Sequence, residues 1–183
     1  MKLLFSLFTF ILFTSFSEIP ETTLNREEQK LYDQIMAYRQ TKKLPSIALS
    51  TSLTFVAQTH AKDLALNNVI KGKCNAHSWS NQGDWTECCY TADHSNGECM
   101  RGKPAEMTHY KNPGYEIVTR YLTKNPSIKM TATEAVKSWK NSPAHNNVII
   151  NKGDWKGRTW NAIGIGMYNG VACIWFGLEK DTN

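Results

Sequence analysis

The chain has 183 residues, 21 lysines and arginines against 16 aspartates and glutamates, and a formal net charge of +5; 41% of it is hydrophobic and 20% charged. Those proportions exclude a disordered tail, a collagen-like fibre and a dense disulfide knot, and a chain of this length buries roughly 68–70% of its unfolded surface in a core. The basic excess is scattered (Lys42 and Lys43, Lys71 and Lys73, residues 152–158) and forms no arginine-rich helix or zinc-finger spacing, so nucleic acid is not an expected partner.

Residues 1–17 read MKLLFSLFTFILFTSFS. One early lysine, an apolar run and small residues at Ser15 and Ser17 have the form of a secretory signal peptide. The run stops at Glu18, short of the roughly 20 apolar residues that span a bilayer, and no second such run follows. The expectation is therefore a signal peptide over 1–17, one domain over 18–183, no transmembrane anchor, and a secreted, periplasmic or extracellular location. Cysteine use agrees with an oxidising compartment. Cys74, Cys88, Cys89, Cys99 and Cys173 allow at most two bridges and leave one thiol over. The adjacent Cys88 and Cys89 are expected to pair outward rather than with each other.

Asn25 and Glu28 have capping-box spacing, and Leu31, Ile35 and Tyr38 then recur at helical intervals. This first helix is predicted to end near Arg39. A second is predicted from about 52 to 67, with an apolar stripe of Leu53, Val56, Ala57, His60, Ala61, Leu64 and Ala65. On that stripe His60 reads as a hydrogen-bonded core histidine. Residues 71–113 lack periodicity and hold four of the five cysteines, as a cross-linked or functional segment would. The apolar spacing over 115–122 predicts a short helix. Thr131 and Glu134 form another capping box, opening a helix that carries Ala135, Val136 and Trp139, and Ser142-Pro143 ends it.

AIGIGMY and VACIWFG flank Asn169-Gly170, the pattern of a two-residue hairpin. That turn pairs Tyr168 with Val171. It places Ile163, Ile165 and Met167 opposite Phe176, Ile174 and Ala172, and Gly164 and Gly166 opposite Trp175 and Cys173. Glycine at those positions leaves room for a neighbouring element to pack closely. Early helices followed by a late antiparallel hairpin indicate an α+β fold.

The candidate chemistry lies in His77, His94, Glu116, Glu134 and His145. Imidazoles suit zinc, and a carboxylate can orient a ring or bind the ion. No HExxH motif, GxSxG elbow, phosphate-binding loop or dinucleotide fingerprint is present, so any site is assembled from distant segments. Glu134 already has a structural use in its capping box.

Several segments together resemble the CAP superfamily (cysteine-rich secretory proteins, antigen 5 and pathogenesis-related proteins). LPSIALSTSLTFVAQTHAKDLA is similar to its early helix, and HSW to its histidine-serine segment. AVKSWKNSPAHNNVI resembles the Trp-x-x-Ser-Pro-x-His stretch of the bacterial branch, and AIGIGMYNGVACIWFG its closing hairpin. The resemblance implies an α–β–α sandwich around a small central antiparallel sheet, with a cavity that gathers two histidines and two acids and in some members a metal ion. His77 and His145 match the two histidines. Glu116 stands where many members have Gly-Glu-Asn, with Tyr115 intervening, and Glu134 is the remaining candidate groove acid. The eukaryotic Gly-His-Tyr-Thr-Gln signature is absent. The implied function is an exported, non-catalytic domain binding an extracellular or envelope ligand (peptide, polysaccharide or lipid), with zinc or another divalent cation held by His77 and His145. The alternatives are a metal-dependent hydrolase acting on a peptide or envelope polymer, and a metal-free binding module using Trp79, Trp85, Trp155 and Trp160.

Overall fold

The computed structural model describes residues 22–121 and 129–182; the expected signal peptide, residues 1–17, lies outside them. Helix α1 (Arg26–Thr41) opens with the expected capping box: Asn25 accepts from the Glu27 and Glu28 amides while Glu28 accepts from the Asn25 amide. Helix α2 (Thr51–Leu66) is capped by Ser50. Two single-turn helices, α3 (Gly97–Arg101) and α4 (Lys103–Met107), interrupt the long irregular segment that follows. Strand β1 (Gly114–Arg120) comes next, then α5 (Ala132–Asn141), α6 (Pro143–Ile149), a 3-10 turn (Gly153–Trp155), and strands β2 (Ala162–Tyr168) and β3 (Val171–Gly177).

The three strands form one antiparallel sheet in the order β1-β3-β2. The hairpin has the predicted register throughout, from Tyr168↔Val171 to Ile163↔Phe176, and Asn169 takes a left-handed φ of 40° in its turn. Both faces of the sheet are covered. Ile117, Ile163, Ile165, Ala172, Ile174 and Phe176 pack against α1, α5 and α6 through Leu31, Ile35, Trp139 and Ile149. Val118, Cys173 and Trp175 pack the other way, against Leu53, Val56, Ala57 and Ala61 of α2. The result is a three-layer α–β–α sandwich. On the α2 side the approach is close enough that a Cβ on Gly164 or Gly166 would fall on the α2 backbone, at Leu53 and Ala57 respectively.

Two elements differ from expectation. Residues 114–120 are a strand, where the apolar spacing over 115–122 predicts a helix (Leu122 lies outside the described residues). The sandwiched sheet buries neighbouring residues Glu116, Ile117 and Val118 alike, so the alternation that marks a half-exposed strand is missing. Tyr115, Ile117, Val118 and Thr119 nonetheless have strand-type side chains. In addition, Ser142-Pro143 does more than end α5: Ser142 closes it and Pro143 occupies the first turn of α6, where its missing N–H costs nothing. That helix carries His145.

Two disulfides, Cys74–Cys89 and Cys88–Cys99, tie the segment between α2 and β1, and Cys173 is a buried free thiol. The adjacent cysteines therefore do pair outward. The two bridges bracket His77, Tyr90 and His94. Closing a loop of 15 residues adds about 3 kcal/mol in the chain-entropy account. Cys74→Ser/Cys89→Ser is expected to lower stability by that order and to broaden the NMR signals of His77; an unchanged urea midpoint would mean that backbone bonds such as Trp79 N–H to Cys88 C=O suffice to hold the segment.

Candidate functional site

A cavity of about 580 Å³ opens beside β1. One wall comes from the cross-linked segment and α3 (His77, Tyr90, His94, Met100, Arg101). The other comes from α6 and the turn after it (His145, Asn147, Val148, Trp155, Arg158), and Tyr115, Glu116 and Ile117 of β1 form its floor. Four of the five sequence candidates, His77, His94, Glu116 and His145, thus border one cavity. Glu134 does not: it is exposed at the start of α5, where its carboxylate accepts from the Thr131 amide and hydroxyl.

Glu116 projects to the α2 side of the sheet, into the core. Its Oε1 meets His60 Nδ1 of α2, and its Oε2 lies 2.7 Å from His77 Nδ1. His60 Nε2 is 2.9 Å from the Ser78 carbonyl. A carbonyl only accepts, so Nε2 carries a proton. Burial alone would raise the Glu116 carboxyl, but the facing His60 and His77 outweigh it and hold the group down at about 2. Burial pulls the His60 imidazolium the other way, and the same carboxylate, with Ser78 and Asp63, more than restores it. The pair is therefore an imidazolium and a carboxylate with every strong donor and acceptor engaged, the condition under which a buried charge pair is tolerated. Trp79 stacks on the His60 ring with centroids 4.2 Å apart.

The ionised Glu116 makes His77 Nδ1 the donor, which leaves His77 Nε2 as the lone-pair nitrogen. His77 is held in place locally: its amide and that of Ser78 both bond Asn75, which in turn donates to the Tyr90 carbonyl. On the opposite wall His145 is held toward its neutral form, by burial first and by the nearby His77 second. Two imidazoles that border one cavity are a suitable donor set for a divalent cation, and a carboxylate behind one ring is the usual means of fixing its tautomer.

A second cluster is wholly buried. His60, Glu116 and Cys173 each bring one donor atom within 4.8 Å of the others. Both His60 nitrogens already have partners, and burial together with Glu116 pushes the Cys173 thiol well up. As folded, this trio is a protonated hydrogen-bonded cluster, and a metal there would have to displace protons from both Cys173 and His60.

His60 is a core histidine, as its stripe position implies, but its function is to anchor Glu116. The available signal was that a polar ring on an apolar stripe needs a buried partner. Of the aromatic candidates, Trp79 and Trp160 are core residues, while Trp85 and Trp155 remain partly open. Tyr90 and Arg158 had no motif to mark them.

The sandwich agrees with the comparisons. The profile of CAP, the cysteine-rich secretory protein family, matches residues 32–170, and the chain belongs to that family. In fold it is similar to an extracellular protein containing an SCP domain from Bacillus anthracis (TM-score 0.55, 18% identity, covering 82% of this chain and 39% of that one). It thus spans about two-fifths of that protein. Further similar structures are a cysteine-rich secretory protein from Staphylococcus aureus (TM-score 0.49, 14% identity, 82% and 37% covered) and an outer surface protein from Borrelia burgdorferi (TM-score 0.49, 18% identity, 86% and 95% covered). Among curated proteins none matches significantly. No helix among the described residues is long and apolar enough to cross a membrane.

Proposed function

We propose that the chain is an exported CAP-domain protein that binds a ligand in the cavity beside β1, with His77 and His145 holding a divalent cation, zinc by their chemistry, at its walls. The observation that carries this is the chain of bonds from His60 through Glu116 to His77, which frees His77 Nε2 in a cavity that His145 also borders. A bound cation would supply a positive, Lewis-acidic point for an anionic or carbonyl ligand group. The signal-like residues 1–17, the two disulfides and the Bacillus protein's description as extracellular support export.

A binding role is favoured over hydrolysis on one physical ground. A general base works best with a pKa near the operating pH, whereas Glu116 is held at about 2 with both oxygens occupied. Metal analysis of the tag-free mature protein is expected to find about one zinc per chain, the load of a single mononuclear site, lost in His77→Ala/His145→Ala. Equal zinc in parent and variant would remove the assignment.

A further inference from the structure

β1 lies at an edge of the sheet, and the direction of its backbone groups follows from its pairing. Beyond the strand Tyr121 N–H donates to the Gly170 carbonyl, and the register runs on through Ile117↔Ile174 and Tyr115↔Phe176. Alternate residues share an orientation in an antiparallel ladder. Tyr115, Ile117 and Thr119 therefore direct N–H and C=O at β3, while Gly114, Glu116, Val118 and Arg120 direct theirs to the free edge. No hydrogen bond from the described residues reaches those outward groups.

Glu116 is the outward residue that borders the cavity. Its side chain is completely buried, yet the residue keeps 8% exposure. What Glu116 shows to the cavity is thus main chain: one N–H and one C=O, side by side, almost enclosed and without a protein partner among the described residues. Nearly buried backbone groups of this kind call for a partner.

The cation beside this position is also open. The Arg158 guanidinium lies 5.8 Å from the ring centre of Tyr115, the neighbour of Glu116, and 5.4 Å from that of Trp155. Its one hydrogen bond is a long one, 3.4 Å from Nε to the Asp154 carbonyl, and no carboxylate among the described residues pairs with it. Arg101, across the cavity, is by contrast bound to Glu98.

We propose that the cavity takes an extended peptide segment as an added strand on β1, its main chain bonded to the N–H and C=O of Glu116 and one of its carboxylates bound by Arg158. This commits the ligand of the proposed binding cavity to a peptide and is independent of the cation. A donor and an acceptor presented together by one strand residue are the complement of one residue of another strand, the recognition used in β-augmentation, whereas a sugar ring offers hydroxyls without that pairing. A guanidinium stacked on two rings keeps its outer N–H groups aimed at solvent, suited to a carboxylate. The carboxylate can belong to a chain terminus or to an acidic side chain.

The test uses the ¹⁵N-labelled mature protein in chelator-containing buffer and three pools of N-acetylated random hexapeptides. One pool ends in a free carboxylate without Asp or Glu, one is amidated with a central Glu, and one is amidated and acid-free. The first or second pool is expected to shift the Glu116 amide and slow its hydrogen exchange, and Arg158→Gln, at an exposed position, to weaken that pool about tenfold, the effect of losing one charge-assisted contact. The responding pool identifies a terminal or a side-chain carboxylate. The acid-free pool is expected to bind parent and variant alike. An unmoved Glu116 amide with both acidic pools, or an indifferent Arg158→Gln, overturns the proposal. Because the chelator removes any cation, failure here leaves the cation assignment to its own measurement.

Discussion

Gly166→Ala is expected to lower the stability of the domain by about 3 kcal/mol or more, the upper range for forcing extra volume into a packed core. The added methyl would fall on the Ala57 carbonyl and the Gln58 amide of α2. These are backbone atoms that no rotamer change can move aside. Nor can α2 retreat freely: its N-terminus is fixed where Ser50 N–H bonds the Ile163 carbonyl and where Asp181 accepts from the Ser50 hydroxyl and the Ser52 amide. Any outward shift would also pull His60 from Glu116. At roughly 2–4 °C per kcal/mol for a chain of this size, thermal unfolding should start about 10 °C lower. Gly72→Ala is the comparison, since it has φ +59° and open space around it and should lose only the roughly 1–2 kcal/mol of a left-handed alanine. Equal losses at the two positions would mean that close approach to β2 does not set the place of α2.

That contact illustrates which parts of the molecule were legible in the sequence. The two capping boxes and the hairpin register are local, each settled by residues within a few positions of one another, and they hold in the structure. The glycines at 164 and 166 pointed to a close neighbour for the same reason. What failed depended on distant packing. β1 does not alternate because helices cover both its faces, and that cover is supplied by residues far along the chain. The His60–Glu116 pair joins residues 56 positions apart, so neither residue alone could announce it. Disulfide pairing was open because adjacent Cys88 and Cys89 are chemically equivalent until the fold directs one to Cys99 and the other to Cys74. His77, Glu116 and His145 were legible through the family resemblance, whereas Tyr90 and Arg158 became visible only when the cavity walls were assembled.

Glu116→Gln is expected to destabilise the domain by about 3–5 kcal/mol near neutral pH, the usual effect of removing one partner from a buried ion pair, and to reverse the sign of a pH dependence. In the parent, Glu116 is depressed from 4.5 to about 2 on folding, so its contribution is present above 4.5 and is lost as pH falls from there toward 2. At 1.36 kcal/mol per pKa unit that loss amounts to about 3 kcal/mol. His60 is raised above 6.5 by the same pairing, so its contribution is complete below 6.5 and is lost as pH rises through its folded value. The pair is therefore at full strength between 4.5 and 6.5. Without the carboxylate, burial is the dominant influence on His60 and pushes its pKa below the unfolded value. The variant should then lose stability on acidification below 6.5, where the parent's pair is flat. Urea midpoints of both proteins from pH 3 to 9, taken as a difference curve, cancel the other acids and isolate this window. A level difference between 4.5 and 6.5 would mean that His60 keeps its proton in the folded variant, held by the Ser78 carbonyl and Asp63 that also favour it, so that burial does not dominate once the carboxylate is gone.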